Sequence, residues 1–141
     1  MTNLEIIGFT IWWAEGSKSR RDVRWKNAVS YPIEVTNTDG RIILIFLKYM
    51  TEERKISIDR FKLQLQIHQG DNQKEFEKYW SDLTKIPLSN FQKTIIRPAG
   101  NKPGKSKGTC KVRFSDKIVY NSLDQRFKLL LETIPGCGAV G

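Results

Sequence analysis

The sequence is poor in the residues that most metal sites and nucleophilic active sites require. Its 141 residues include one histidine, His68, and two cysteines, Cys110 and Cys137. These numbers exclude a zinc finger or a Cys/His metal cluster, and they leave only His68 to serve a nucleophile triad. Two separated thiols are typical of a reducing compartment, so we expect a cytoplasmic protein.

Long apolar runs are also missing. No stretch approaches the ~20 apolar residues that a membrane-spanning helix needs, and the N-terminus lacks the basic region that begins a signal peptide. We therefore expect no membrane segment. Hydrophobic residues nevertheless make up 39% of the chain and aromatic residues 11%, which is enough to build a core. The length favours one domain over residues 1–134, followed by a flexible tail at 135–141.

The net charge of +9 is concentrated in two segments. Residues 17–26 and 93–113 together hold twelve of the 24 basic residues and one of the 15 acidic residues. Charge that served only solubility would be interleaved with acids, so the pattern favours a polyanion-binding surface over a solvated face. The bases predicted to contact nucleic acid in these segments are Arg20, Arg21, Arg24, Lys26, Lys93, Arg97, Lys102, Lys105, Lys107, Lys111 and Arg113.

The apolar periodicity predicts an α+β domain with a largely antiparallel sheet covered on one side by helices. The predicted helices span residues 4–14, a segment that Asp39 caps and that runs to about Arg54, a segment around Phe76–Leu83, and a segment from about Asp116 to Ile134. The predicted strands span 31–36, 61–68, 93–97 and 109–114. The first helix is apolar on nearly every side, so it must be covered both by its own fold and by something else.

The clearest strand is residues 61–68, where apolar and polar side chains alternate. The inward residues are Phe61, Leu63, Leu65 and Ile67, and the outward residues are Lys62, Gln64, Gln66 and His68. Strand 109–114 likewise turns Thr109, Lys111 and Arg113 outward. Glutamine and arginine contact base edges and phosphates, so this open face suits nucleic acid. The alternative is the ordinary solvated side of an antiparallel sheet.

Residues 8–18, Gly-Phe-Thr-Ile-Trp-Trp-Ala-Glu-Gly-Ser-Lys, end the first predicted helix with an acid followed by glycine. The helix dipole disfavours a carboxylate there unless a cation lies beside it. Glu15 is therefore either a ligand for a divalent cation or a solvated residue paired with Lys18. The segment resembles the LAGLIDADG motif of homing endonucleases, with Glu15 as its terminal acid and Gly16 as its final glycine. Residues 34–39 and 79–88 also look like segments of LAGLIDADG-like bacterial proteins.

The resemblance implies an α-β-β-α-β-β-α core whose antiparallel sheet lies along the major groove of double-stranded DNA. Members with one motif per chain work as homodimers, and the corresponding interface residues here would be Ile7, Thr10, Ile11 and Ala14. The resemblance also implies a catalytic role for Glu15 and a Mg²⁺ ion held by Glu15 and Gly16. Because Lys18 is adjacent to the motif, we expect it to lie near the phosphates as a second catalytic residue.

The expected function is that of a site-specific, metal-dependent double-strand DNA endonuclease of the homing type. The main alternative is a DNA-binding regulator that keeps the same fold without cutting, and an RNA-binding or maturase role is a further alternative. The acid at position 15 favours the endonuclease, because a protein that only binds DNA has no need of a carboxylate near phosphate.

Overall fold

The computed structural model describes residues 2–15, 20–21, 29–98 and 106–136. In chain order the helices and strands are α1 (Asn3–Glu15), β1 (Arg20–Arg21), β2 (Val29–Ser30), β3 (Pro32–Asn37), α2 (Gly40–Lys48), β4 (Lys62–His68), α3 (Gln73–Thr84), β5 (Ile95–Arg97), β6 (Thr109–Ser115) and α4 (Lys117–Glu132).

The chain divides into two compact units. The first comprises residues 1–17 and 34–114, and the second comprises residues 18–33 and 115–141. The extent of a single domain over residues 1–134 stays a prediction. The α+β class is confirmed, since α-helices and a four-stranded sheet share the chain.

The sheet has the strand order β3-β6-β4-β5. β6 runs antiparallel to β4, whereas β5 runs parallel to β4. The sheet is therefore mixed, and the prediction of antiparallel pairing is correct for β4 with β6 but wrong for β5.

The parallel pairing of β5 depends on helix α3. Two parallel strands run in the same direction. After the first strand, the chain must therefore return to the end of the sheet where that strand began before it can form the second. In this chain the return contains α3, which lies between β4 and β5 in sequence. In the implied order α-β-β-α-β-β-α, two strands follow the second helix in succession. In the observed order, α3 lies between β4 and β5, the two strands that follow α2.

Polar side chains cap the helices of the first unit and so fix where they begin. The capping side chains are those of Thr2, Asp39 and Asn72, which accept hydrogen bonds from the backbone N–H groups of Glu5, Arg41 and Glu75 at 2.9 to 3.1 Å. After Lys48 the second helix continues as a π-helical turn over Tyr49–Glu53. The helix predicted to end near Arg54 therefore has nearly its predicted extent, with a wider last turn.

The core of the first unit lies on the apolar side of β4 and β6. The inward residues of both strands are buried as the alternation predicts: Phe61, Leu63, Leu65, Ile67, Cys110, Val112 and Phe114. The ring of Phe61 meets that of Phe46 on α2 at 6.3 Å and that of Phe114 at 4.8 Å, both edge-on. Helix α2 therefore covers this side of the sheet, which leaves the opposite side for polar residues.

Helix α1 packs against α2 and the π-helical turn that follows it. The close approach occurs at Gly8, where a Cβ atom would overlap the Cβ and ring of Tyr49. Phe9 and Trp12 are also buried on this side of the helix. One side of α1 is thus covered within the chain.

In the second unit β1 pairs with β2 in antiparallel fashion. The carboxylate of Asp116 caps α4 by accepting from the Val119 N–H at 3.0 Å. The rings of Tyr31 and Tyr120 meet edge-on at 5.6 Å within the same unit. Across the described ranges, no helix combines the length and the apolar character required to cross a membrane.

Candidate nucleic-acid interface

The alternation of β4 turns four polar side chains away from the core. Lys62 and His68 are exposed, and Gln64 and Gln66 are half-buried, as the sequence predicts. Lys62, Gln64 and Gln66 each lie between inward residues that are at most 1% exposed, and His68 directly follows Ile67, the last of these inward residues. The core therefore fixes the direction in which these four side chains point, because a slip of one residue would bury them.

Strand β6 places further bases beside those of β4. Lys62 pairs in register with Arg113, Gln64 with Lys111, and Gln66 with Thr109. Directly paired residues of adjacent strands lie on the same face of a sheet. The structure thus brings together the outward residues that the sequence predicts separately for the two strands.

Strand β5 extends the same face on the other side of β4. His68 pairs in register with Arg97, and Gln66 pairs with Ile95, so Arg97 and Ile95 share the face of β4's polar residues. The side-chain amide of Gln64 donates to the backbone carbonyl of Lys93 at 2.9 Å. This bond ties the segment before β5 to the middle of β4.

Strand β3 contributes residues from the far side of β6. The Glu34 carboxylate lies 3.9 Å from Arg113 Nε, and Thr36 lines a shallow depression of about 160 Å³ together with Gln64, Gln66 and Lys111. We call this surface the polar sheet face; its residues are Glu34, Thr36, Lys62, Gln64, Gln66, His68, Ile95, Arg97, Thr109, Lys111 and Arg113. It carries four bases and one acid.

Sequence reasoning turned Thr109 outward but missed Glu34, Thr36 and Ile95 as members of this face. Local patterns do not specify the sheet order that brings β3 and β5 alongside β6 and β4. Glu34 matters for the electrostatics because its carboxylate partly neutralises Arg113.

Lys107 is placed differently from the other predicted contacts. Its ammonium group lies 3.3 Å from the Glu75 carboxylate and 5.3 Å from the centre of the Phe76 ring, both on α3. Its carbonyl accepts the indole N–H of the buried Trp80 at 2.8 Å. Lys107 is therefore held to α3 through both its ammonium group and its backbone carbonyl. The side chains of several predicted bases lie outside the described residues: Arg20, Arg21, Arg24, Lys26, Lys102 and Lys105.

The second side of α1 is an exposed apolar stripe. Ile6 and Ile7 are each 47% exposed and Trp13 is 36% exposed, while Thr10 and Ala14 are also exposed. These positions recur every three or four residues, so they lie on one side of the helix. The Thr10 hydroxyl donates to the Ile6 carbonyl at 2.7 Å, which satisfies its donor within the helix.

Three of the four predicted interface residues lie on this stripe. Ile7, Thr10 and Ala14 belong to it, whereas Ile11 is half-buried at its margin. Ile6 and Trp13 are members that the sequence did not single out. The i, i+3, i+4 spacing could have identified them, but the helix is apolar on so many sides that the spacing alone chose no outward face.

Glu15 is the last residue of α1 and is exposed, one position beyond the end of the stripe. Gly16 and Lys18, its predicted neighbours in a metal and catalytic site, lie outside the described residues. Within the described part of the chain, no group of three or more His, Cys, Asp or Glu side chains could hold a metal ion. A divalent ion bound at Glu15 would therefore need ligands beyond one such group.

No protein-family model, curated protein or solved structure matches this chain.

Proposed function

We propose that this protein binds double-stranded DNA through the polar sheet face. The observation that carries the proposal is the juxtaposition, on one open sheet face, of four bases with Gln64, Gln66 and His68. Bases on such a face contact phosphates and set the register, while amide and imidazole groups form hydrogen bonds with base edges. The same face contains Glu34, whose pairing with Arg113 limits the excess of positive charge.

The proposal includes a homodimer that forms through the exposed stripe of α1. An apolar stripe of this kind on a helix favours burial against a partner, and a two-fold axis would pack the same stripe from both copies. The small residue Ala14 and the internally satisfied hydroxyl of Thr10 permit close helix approach without a buried unpaired donor. A dimer would carry two polar sheet faces.

DNA binding is tested with a randomised double-stranded library, followed by affinity measurements on the enriched sequence. The double substitution Lys62→Gln with Lys111→Gln should lower affinity about tenfold or more and reduce the slope of log affinity against log salt by about 2. The matched control removes two exposed charges from α3, Lys74→Gln with Lys78→Gln, and should change affinity little. Equal losses in the two variants would show that binding depends on net charge and not on the polar sheet face.

Phosphodiester hydrolysis is the second candidate function, and the position of Glu15 favours it. Glu15 follows the last stripe residue, so pairing of two stripes would bring the two Glu15 carboxylates toward one axis. Two such carboxylates suit Mg²⁺, which would activate water and stabilise the leaving oxygen when bound. This proposal follows the resemblance to the LAGLIDADG motif.

The two candidates are separated by Glu15→Gln, assayed with the enriched DNA and Mg²⁺. If the wild type cuts the DNA while the variant binds without cutting, hydrolysis at Glu15 is supported. If both proteins bind equally and neither cuts, the protein is a non-catalytic DNA-binding protein. If both cut alike, the assignment of Glu15 is wrong.

A further inference from the structure

An apolar groove of about 520 Å³ lies on the first unit where the end of α2 meets the end of α3. Its apolar residues come from α2, from the segment after the π-helical turn and from α3: Leu44, Leu47, Ile56, Ile58 and Leu83. Lys48 and Lys85 also line the groove, and both are exposed. No acidic side chain lines it in the described part of the chain.

The groove continues along the line of contact between the two helices. A second hollow of about 310 Å³ shares Leu44 and Leu83 with the first, and its other residues include Tyr79, which is 41% exposed. The acid in this second hollow, Asp39, is already bonded to the Arg41 guanidinium at 2.9 Å. The elongated and open shape suits a segment of polypeptide better than a compact small molecule.

The backbone at the edges of the groove provides an independent observation. Among the described residues, only two that are not glycine have a positive φ: Lys55 at 59° and Lys85 at 67°. Lys85 lines the groove, and Lys55 directly precedes Ile56, which also lines it. Glycine or asparagine adopts this conformation at lower cost, yet lysine occupies both positions.

We propose that this groove binds a short helical segment of another protein, apolar on one side and acidic at its margins. The apolar floor would bury the leucine or phenylalanine side chains of such a segment, as in other helix-in-groove complexes. Lys48 and Lys85, which line the groove, would pair with its acids, and this selects against basic segments and against DNA. The site is separate from the polar sheet face, since the two share no residue.

The test starts from a phage-displayed library of random 12-residue peptides, selected on the wild-type protein. The enriched peptides should combine apolar residues three or four positions apart with Asp or Glu. The affinity of the most enriched synthetic peptide is then measured by fluorescence anisotropy. The double reversal Lys48→Glu with Lys85→Glu should weaken it by about tenfold or more. The control reversal Lys74→Glu with Lys78→Glu changes net charge equally outside the groove and should have an effect below about threefold.

Amide chemical-shift mapping with the same peptide gives the location directly. Shifts at Leu44, Leu47 and Ile58 are expected, and both reversal variants should keep the circular-dichroism spectrum of the wild type. The proposal is overturned if no acidic peptide is enriched, if both reversals weaken binding alike, or if the shifts fall on the polar sheet face. Self-association that the groove reversal abolishes would assign the groove to a second copy instead.

The result of the peptide-binding test does not depend on whether the protein binds DNA. DNA affinity of the groove variant should equal that of the control variant, and peptide affinity should survive Lys62→Gln with Lys111→Gln. A failure of DNA binding would therefore leave the peptide result unchanged, and the reverse also holds.

Discussion

Lys62 of β4 and Arg113 of β6 face each other as register partners, so two cations lie side by side on the polar sheet face. Like charges directly opposite each other on antiparallel strands destabilise a sheet. Glu34 offsets part of this cost from the far side, where its carboxylate lies 3.9 Å from Arg113. The remaining repulsion is explained if a polyanion supplies the missing counter-charge.

The substitution Lys62→Gln should therefore separate stability from binding. Removing the charge opposite Arg113 should raise the free energy of unfolding by roughly 0.2–1 kcal/mol, while affinity for DNA falls. Urea unfolding and a gel-shift assay measure the two quantities. Lys74→Gln on α3 is the control and should alter neither appreciably. Lower stability together with unchanged DNA affinity in Lys62→Gln would contradict the assignment of this face.

The local part of the fold could be predicted from the sequence because it depends on alternation and on caps. The apolar side of residues 61–67 is buried as predicted, and Asp39 caps α2 as predicted. The pairing of β5 could not be predicted in this way. It depends on where the chain returns after α3, which no local pattern specifies.

The two sides of α1 show the same limit. Its sequence is apolar nearly all round, so periodicity did not indicate which side packs inside the chain. The side that packs inside the chain is the one that contains Gly8. At this position α1 comes close to Tyr49, a residue 41 positions further along the chain. The sequence therefore predicted that α1 needs a second partner, but not which residues would meet it.

The exposed stripe of α1 predicts a dimer that one charge can dissociate. Ile7→Glu places a carboxylate within the stripe, and its desolvation should convert dimers to monomers at micromolar concentration. Sedimentation velocity measures the change, with thermal unfolding to confirm that the fold survives. Ile118→Glu is the matched control, because Ile118 is an isoleucine of α4 that is 81% exposed. A wild-type protein that is already monomeric would contradict the dimer.

Gly8 predicts a large effect from a single methyl group. Alanine is the better helix former by about 0.5–1 kcal/mol, but its Cβ would overlap the Cβ and ring of Tyr49. The Tyr49 ring is buried, and its hydroxyl accepts from Arg54 Nε at 3.0 Å, so the ring cannot swing aside freely. Overpacking of this kind costs about 1–3 kcal/mol and should outweigh the helix gain.

Chemical unfolding of Gly8→Ala should accordingly show a lower midpoint than the wild type. Thr10→Ala, on the exposed side of the same helix, is the control and should leave stability unchanged or slightly higher. An increase in stability for Gly8→Ala would mean that α1 does not approach Tyr49 closely.

Asp39 predicts a pH dependence at the start of α2. Hydrogen bonds from the side chain and backbone N–H of Arg41 lower the pKa of the Asp39 carboxyl below its ordinary value of 3.8. A group whose pKa is lowered in the folded state stabilises the fold fully at a pH above its pKa in the unfolded chain. This contribution is lost as the pH falls through the folded-state pKa.

Asp39→Asn keeps a capping oxygen but has no carboxylate to titrate. The wild type should therefore unfold at a higher temperature than Asp39→Asn at neutral pH, and the difference should shrink below pH 3.8. Thermal unfolding of both proteins from pH 7 to about pH 2 measures this difference. A difference that stays constant, or grows on acidification, would show that Arg41 does not stabilise the charged form.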